Sequence, residues 1–345
     1  MTNTSIARGR SRRDHRNEGR SLTTTTERRR RTASRATSPL RSRPAVRRLL
    51  EPQALTPADL SMVLLVTEEP ADRPLPTVTL AEIPAMAREA VRLGVPSVKL
   101  FAESARRDAT GVISASPDSL MARAVSDCKN AAPDLAVMTE TCLCSYTSDG
   151  ACYLTHHDGR PDVSGTIEVA SRQAVAHAEA GADIVGPASM VLGTVGGARK
   201  ALDQTGHEGV SVMPHVIFWS SLYDGFRRTM GATPAAGVNR EFQINPGKAD
   251  QFVETALRME AAGADMILLE PAQFTADVLA TLRGVTRAPL FPFSVSGEYT
   301  SLTRVDPDSG RRDVRLLVEL FTMLKRAGAT GSVTYAALDI ARQLT

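Results

Sequence analysis

From residue 61 onward one pattern repeats eight times: a short apolar run rich in β-branched residues, then a stretch with apolar residues at helical spacing. The runs are SMVLLVTE, SVKLFAE, LAVMTETC, ADIVGPAS, VSVMPHV, ADMILLEP, LFPFSVSG and GSVTYAA. Between them lie segments such as TIEVASRQAVAHAEAG, KADQFVETALRMEAAG and DVRLLVELFTMLKRAG, each closed by a glycine placed as a helix C-cap. A repeated strand, helix, glycine unit implies parallel strands joined by right-handed crossovers. Eight such units predict a (β/α)8 TIM barrel over residues 61–345, an α/β fold whose functional site lies at the C-terminal ends of the strands.

The 345 residues suit one large barrel or two ordinary domains. The first fifty differ in kind from the rest. They hold fifteen arginines against Asp14, Glu18 and Glu27, a net charge of +12, which leaves −9 on the remainder of a chain whose total is +3. RGRSRRDHR and TTTTERRRRTASR have no hydrophobic period, so residues 1–38 are expected to be a disordered tail. An arginine-rich tail can meet phosphates, but this one lacks interleaved aromatics and any following DNA-binding motif, and nucleic acid is not an expected partner. No run approaches the roughly 18 apolar residues of a membrane span, and the basic N-terminus has no apolar core behind it as a secretory signal would. The expectation is a soluble, cytoplasmic protein with no membrane partner, in a compartment where clustered cysteines bind metal more often than they form disulfides.

Polar residues at strand ends point into a barrel's site. Here they are Thr67, Glu68, Glu103, Glu140, Cys142, Ser189, His215, Glu270, Ser294, Ser296 and Tyr335. The third strand end opens TETCLCSYTSDGAC, which gathers Cys142, Cys144 and Cys152, three of the four cysteines in the chain. Their Cys-x-Cys-x7-Cys spacing lets two thiolates from a strand end and one from the following loop converge on one ion. Zinc takes thiolates at about 2.3 Å, and three protein ligands leave a fourth position for water or substrate. A working Zn2+ is therefore the expected cofactor, while Cys128, within AVSDCKNAA, reads as a small apolar residue on a helix. Glu270, following the apolar MILL, needs a partner or a function. His215 either caps a strand end or takes part in catalysis. Glu298 and Tyr299 read as braces of their loop, His156 and His157 as exposed loop residues, and Trp219 as core or interface.

These blocks also carry a resemblance. TETCLCSYTSDGACYL is similar to the zinc loop of the porphobilinogen synthase family, also called δ-aminolevulinic acid dehydratase. RPAVRRLLEPQALTPADL resembles its N-terminal arm, and QAVAHAEAGADIVGPASM, SSLYDGFR, REFQINPG, AAGADMILLEPA, VSGEY and RAGATGSVTYAAL follow in the family's order, covering about residues 40–345. The resemblance implies an oligomerisation arm at residues 39–60 and a homo-octamer of barrels. It implies a lyase condensing two 5-aminolevulinate molecules to porphobilinogen, a step of tetrapyrrole (haem) biosynthesis. Zn2+ would be held by Cys142, Cys144 and Cys152. Ser296 and Tyr335 match positions holding the carboxylate of the first substrate, Arg227 and Gln243 match positions around the second, and Arg240 lies beside an arginine position that reads Asn239.

The departures are selective. The family motif M-V-K-P, which supplies the lysine that forms a Schiff base, reads LLEP, with Glu270 at the lysine position. The other active-site lysine falls in PHVIFWSS, on Ile217 or Phe218. The remaining lysines, Lys99, Lys129, Lys200, Lys248 and Lys325, match neither position, and Lys99 lies inside a strand. A lysine amine makes an iminium electron sink from a ketone, whereas a carboxylate forms no imine and serves as acid or base. Three readings follow. The first is a zinc-dependent paralogue acting on an aminolevulinate-like keto or amino acid, with Glu270, Glu140 and His215 moving protons. The second is a porphobilinogen synthase working without the usual lysines. The third is a non-catalytic ligand-binding or assembly protein.

Overall fold

The computed structural model describes residues 43–51, 54–234 and 241–345. The expected tail, residues 39–42 of the expected arm and Arg240 lie outside the described residues. The chain divides into two units, one ending at Ala54 and the other spanning Leu55–Thr345. In the first, helix α1 (Pro44–Leu49) starts on a proline, whose missing N–H costs nothing at the first turn. It buries none of its residues, and Leu49 is 80% exposed.

In the second unit every predicted run becomes a barrel strand: β1 (Leu60–Val66), β2 (Ser97–Ala102), β3 (Ala136–Thr141), β4 (Ile184–Pro187), β5 (Ser211–Val212 and His215–Ile217), β6 (Ile267–Glu270), β7 (Leu290–Ser294) and β8 (Ser332–Thr334). The helices are α2 (Ile83–Arg92), α3 (Leu120–Ala131), α4 (Val163–Glu179), α5 (Gly193–Gln204), α6 (Asp224–Thr229), α7 (Ala249–Ala261), α8 (Ala276–Val285), α9 (Ser296–Leu302), α10 (Arg315–Ala327) and α11 (Ala337–Leu344). All pairings within the barrel are parallel, as the repeat predicts.

The fifth strand differs from its sequence reading because it is broken at Met213 and Pro214. Proline has no N–H to offer a ladder, and the two halves pair with different neighbours. The first lies against β4 (Val185↔Val212) and the second against β6 (Ile217↔Glu270). Because the halves are consecutive in the chain, they close the sheet, which runs from β1 through β8 and back to β1.

The helices form for reasons visible in their sequence. α10 buries Leu317, Phe321 and Leu324, one stripe at helical spacing. It stops at Gly328, whose φ of +122° suits a residue without a Cβ, and whose N–H donates to Leu324 O. α4 starts where the Asp162 carboxylate accepts the Gly165 N–H at 2.9 Å. β1 buries all seven of its residues, as a strand covered on both faces must. Cys128 is buried on α3, as expected. Among the buried polar residues is a lysine: Lys99 of β2 has no exposed surface.

Candidate active site

A cavity opens at the C-terminal ends of the strands, where a barrel of this type places its site. Seven of the eight strands, β2 to β8, supply its wall from their ends. Phe101 comes from β2, Glu140 and Cys142 from the end of β3, and Ala188 from the end of β4. His215 and Ile217 come from β5, Glu270 from β6, Phe293 from β7, and Tyr335 from just beyond β8. Cys144 and Cys152 line it from the loop after β3; Tyr223, Phe226 and Arg227 from the α6 segment; and Gln243 from the segment before α7. Of the two residues at the position before Trp219, Ile217 faces the cavity. Phe218 turns outward and packs on Phe252 of α7, with ring centres 4.4 Å apart.

The three cysteines converge as their spacing predicts. Their sulfurs lie within 4.8 Å of one another, with Cys142 Sγ and Cys144 Sγ 3.4 Å apart, and none of the chain's cysteines is in a disulfide. Thiolates bound to one tetrahedral Zn2+ at about 2.3 Å sit about 3.8 Å apart, so the cluster fits that ion. The electrostatics point the same way. Hydrogen bonds with Cys144 and Cys152, together with burial, hold the Cys142 thiol well above its usual range. Three sulfurs this close, two of them buried, cannot all ionise without a cation among them. The loop is pinned by Arg107, which donates to Cys144 O at 3.1 Å and to Met230 O and Gly231 O at 2.9 Å. Glu103, expected at a strand end, serves this brace: it pairs with Arg107 at 3.1 Å and with Arg73. His156 and His157 are exposed and outside the cluster.

On β5 and β6 a second constellation forms. His215 Nδ1 and Glu270 Oε1 are 2.7 Å apart, and both side chains are buried. The partner that Glu270 needs is therefore His215, which a sequence separation of 55 residues conceals. Burial pushes Glu270 up to about 8, with Lys99 opposing the rise and Glu298 adding to it. Burial and the charge of Lys99 hold His215 well below its usual range, so its ring is neutral. Its Nε2 is buried without a partner among the described residues, as are Tyr223 Oη and Gln243 Oε1, which line the same cavity. Buried polar atoms of this kind are normally satisfied, and three of them around one cavity suit a polar ligand. Glu140 is half-buried and likewise raised, by burial and by the charge of Cys144.

Tyr335 packs against Tyr299 and Phe293, with ring centres 5.4 and 5.9 Å away. Arg227 stacks over the Tyr223 ring at 5.8 Å, with its side chain 11% exposed. Ser296, by contrast, does not line the cavity. It opens α9, and its Oγ donates to Leu222 O at 2.7 Å. Glu298 braces its loop, accepting the N–H groups of Val295, Ala272 and Gln273. Sequence reasoning passed over the aromatic walls Phe101, Tyr223 and Phe226, and it treated Lys99 only as a residue inside a strand. The available signal was a lysine two residues before Phe101 in an otherwise apolar run, which alternation puts on the same, inward face.

With this geometry in place, comparison with known proteins identifies the lineage. The family model for Delta-aminolevulinic acid dehydratase matches residues 34–343. The chain belongs to that family. Curated family members include the Delta-aminolevulinic acid dehydratase of Escherichia coli (strain K12), 34% identical over 88% of this chain and 96% of that protein. Those of Streptomyces coelicolor (32%; 88% and 96%) and the chloroplastic protein of Selaginella martensii (32%; 87% and 74%) are similar to it as well. The crystal structure of the Toxoplasma gondii ME49 enzyme in complex with the reaction product porphobilinogen superposes with a TM-score of 0.83 at 27% identity, covering 90% of this chain and 92% of that one. The fold is thus the TIM barrel expected of this lyase family. No helix among the described residues is long and apolar enough to cross a membrane.

Proposed function

We propose that this chain is a metal-dependent lyase of dehydratase type acting on a small keto or amino acid of the 5-aminolevulinate class. The observation that carries the reading is the Glu270–His215 pair at 2.7 Å, with an unpartnered Nε2 on the wall that the cysteine cluster also lines. Cys142, Cys144 and Cys152 would hold Zn2+, which supplies Lewis acidity toward a carbonyl oxygen when bound.

The pair has two forms that differ by one proton. When Glu270 is a carboxylate it accepts Nδ1–H, and Nε2 offers a lone pair to the cavity as a base. When Glu270 is protonated its O–H donates to Nδ1, and Nε2 carries the proton as an acid. A dehydration needs both operations, proton removal from carbon and proton delivery to a leaving hydroxyl. Glu140 supplies a second carboxyl on the same wall. Arg227, 11% exposed, offers a charge-assisted fork for a substrate carboxylate, and Gln243 and Tyr335 offer hydrogen bonds. Ser296 and Arg240 belong to this substrate set through the resemblance alone. Assembly into an oligomer, an octamer in the resemblance, would bury the exposed Leu49 and Leu50 of the arm segment; light scattering on the whole chain and on a variant starting at Ser61 tests it.

Family membership favours a second, narrower reading: 5-aminolevulinate itself as substrate and porphobilinogen as product. The two readings share the metal and the cavity and differ at the imine. Among the described residues no lysine lines the cavity. Incubating the zinc-loaded protein with 5-aminolevulinate, with and without borohydride, separates them. The first reading expects no reductively trapped adduct and no porphobilinogen, together with conversion of another small keto or amino acid. Porphobilinogen formation at the relatives' level establishes the second. Binding of such acids with no conversion of any would sink both.

A further inference from the structure

Lys99 is fully buried in the barrel, in a strand whose other residues are apolar or small. The fold has made room for it. A Cβ added to Gly186 of β4 would lie 2.6 Å from Lys99 Nζ, so that glycine is the floor on which the ammonium rests. Nζ donates one hydrogen bond, to Thr139 O at 2.9 Å, and lies 5.6 Å from the centre of the Phe101 ring, a wall of the cavity. A buried ammonium costs several kcal/mol unless negative charge compensates it. Among the described residues no carboxylate forms an ion pair with it, yet Glu140 of β3 and Glu270 of β6 both favour its charged form, against a burial that pulls it down to about 8. The function proposed above leaves this residue without a task.

We propose that Lys99 is a positioning residue: its buried ammonium favours Glu270 as a carboxylate and so selects the ring form in which His215 presents an unprotonated Nε2 to the cavity. The charge thereby sets the pH at which the pair changes from acid to base. The other groups facing the pair are Glu298 from α9, Tyr223, Tyr335 and Glu140. All are acids; Lys99 is the positive charge that opposes the rise of Glu270, and Arg227, stacked over the Tyr223 ring, is the cation on the cavity wall itself. His177 of α4 meets the same threonine, its Nδ1 3.0 Å from Thr139 Oγ1, and burial together with the charge of Lys99 holds it neutral, down at about 3.

The inference rests on the Glu270–His215 pair being the acid–base unit, but its primary test does not require turnover. The 15N shifts of the His215 ring, assigned by loss of signal in His215→Asn, report which nitrogen carries the proton across a pH titration of zinc-loaded, full-length protein. Two variants divide charge from structure. Lys99→Gln retains a donor for Thr139 O without the charge, and Lys99→Met removes both. A nearby opposite charge shifts a carboxyl by about 1–3 units. The transition of the His215 ring should therefore move to higher pH by about one unit or more in Lys99→Gln, and the pH–kcat profile should move with it at unchanged zinc content. Lys99→Met should show the same shift. If it fails to fold, Lys99→Gln carries the test alone. A His215 transition that stays at its wild-type pH in Lys99→Gln overturns the proposal and leaves Lys99 as a strut for β3. The two levels fail separately. If Glu270→Gln retains full turnover, the catalytic reading of the pair falls, while a shifted ring transition in Lys99→Gln still establishes the electrostatic role.

Discussion

At the mouth of β3 three thiols meet within 4.8 Å, whereas at the mouths of β5 and β6 a histidine and a glutamate meet at 2.7 Å. The first group comes from eleven consecutive residues, so its geometry is the geometry of one loop. The second comes from residues 55 positions apart, brought together by the register Ile217↔Glu270. Both sit in the wall of one cavity, and each has a problem the other lacks. The thiols crowd potential negative charge and call for a cation. The pair buries a carboxyl and answers it internally, with a neutral ring and a distant ammonium. On the proposed reading the cluster would carry the electrophilic chemistry and the pair the proton transfer, so each should be removable without the other.

The largest effect should come from the cluster. Cys142→Ser combined with Cys144→Ser should reduce metal content from one ion per chain to none and lower turnover by on the order of 10³ or more, measured by elemental analysis and kcat on chelator-free protein. Next comes the pair: Glu270→Gln should lower kcat by roughly 10²–10⁴ while one metal ion per chain remains. Loss of metal in that variant would show that the two regions are not separable. Smaller still is the stability cost of breaking the pair from the other side. His215→Asn leaves the buried Glu270 without its partner and should destabilise the fold by about 1–3 kcal/mol, read by denaturant unfolding.

The subtlest test is the pH dependence of stability. Glu270 is raised from 4.5 to about 8 in the folded protein. Between those values the folded state holds a proton that the unfolded state has released, so this group's contribution declines as pH rises from about 4.5 and is gone above about 8. The melting temperature of wild type relative to Glu270→Gln should therefore decrease across that window. A relative stability that increases with pH would mean that Glu270 is ionised in the fold.

Much of this was legible beforehand because it is local. The barrel is readable because each strand and helix states its own period, and the cluster because its ligands are close in sequence. At β5 the reading gave a continuous strand, since Pro214 in VSVMPHV breaks a ladder only once the neighbours on each side are known to differ. Ser296 was expected among the cavity residues on its position after β7, but side-chain direction at a helix start is set by what the helix packs on, here Leu222 O.

By itself, then, the sequence determined the number and order of strands, the cysteine loop, and a carboxyl, Glu270, at the β6 mouth. Those properties depend on residue type and spacing along one chain segment. Only the tertiary structure decided that Ile217 rather than Phe218 faces the cavity, that Glu270 is held by His215, and that Lys99 rests on Gly186 beneath Phe101. Each of those depends on strand register and on the distance between residues remote in sequence. Electrostatic coupling inside a low-dielectric barrel is governed by that distance, which no spacing along the chain records.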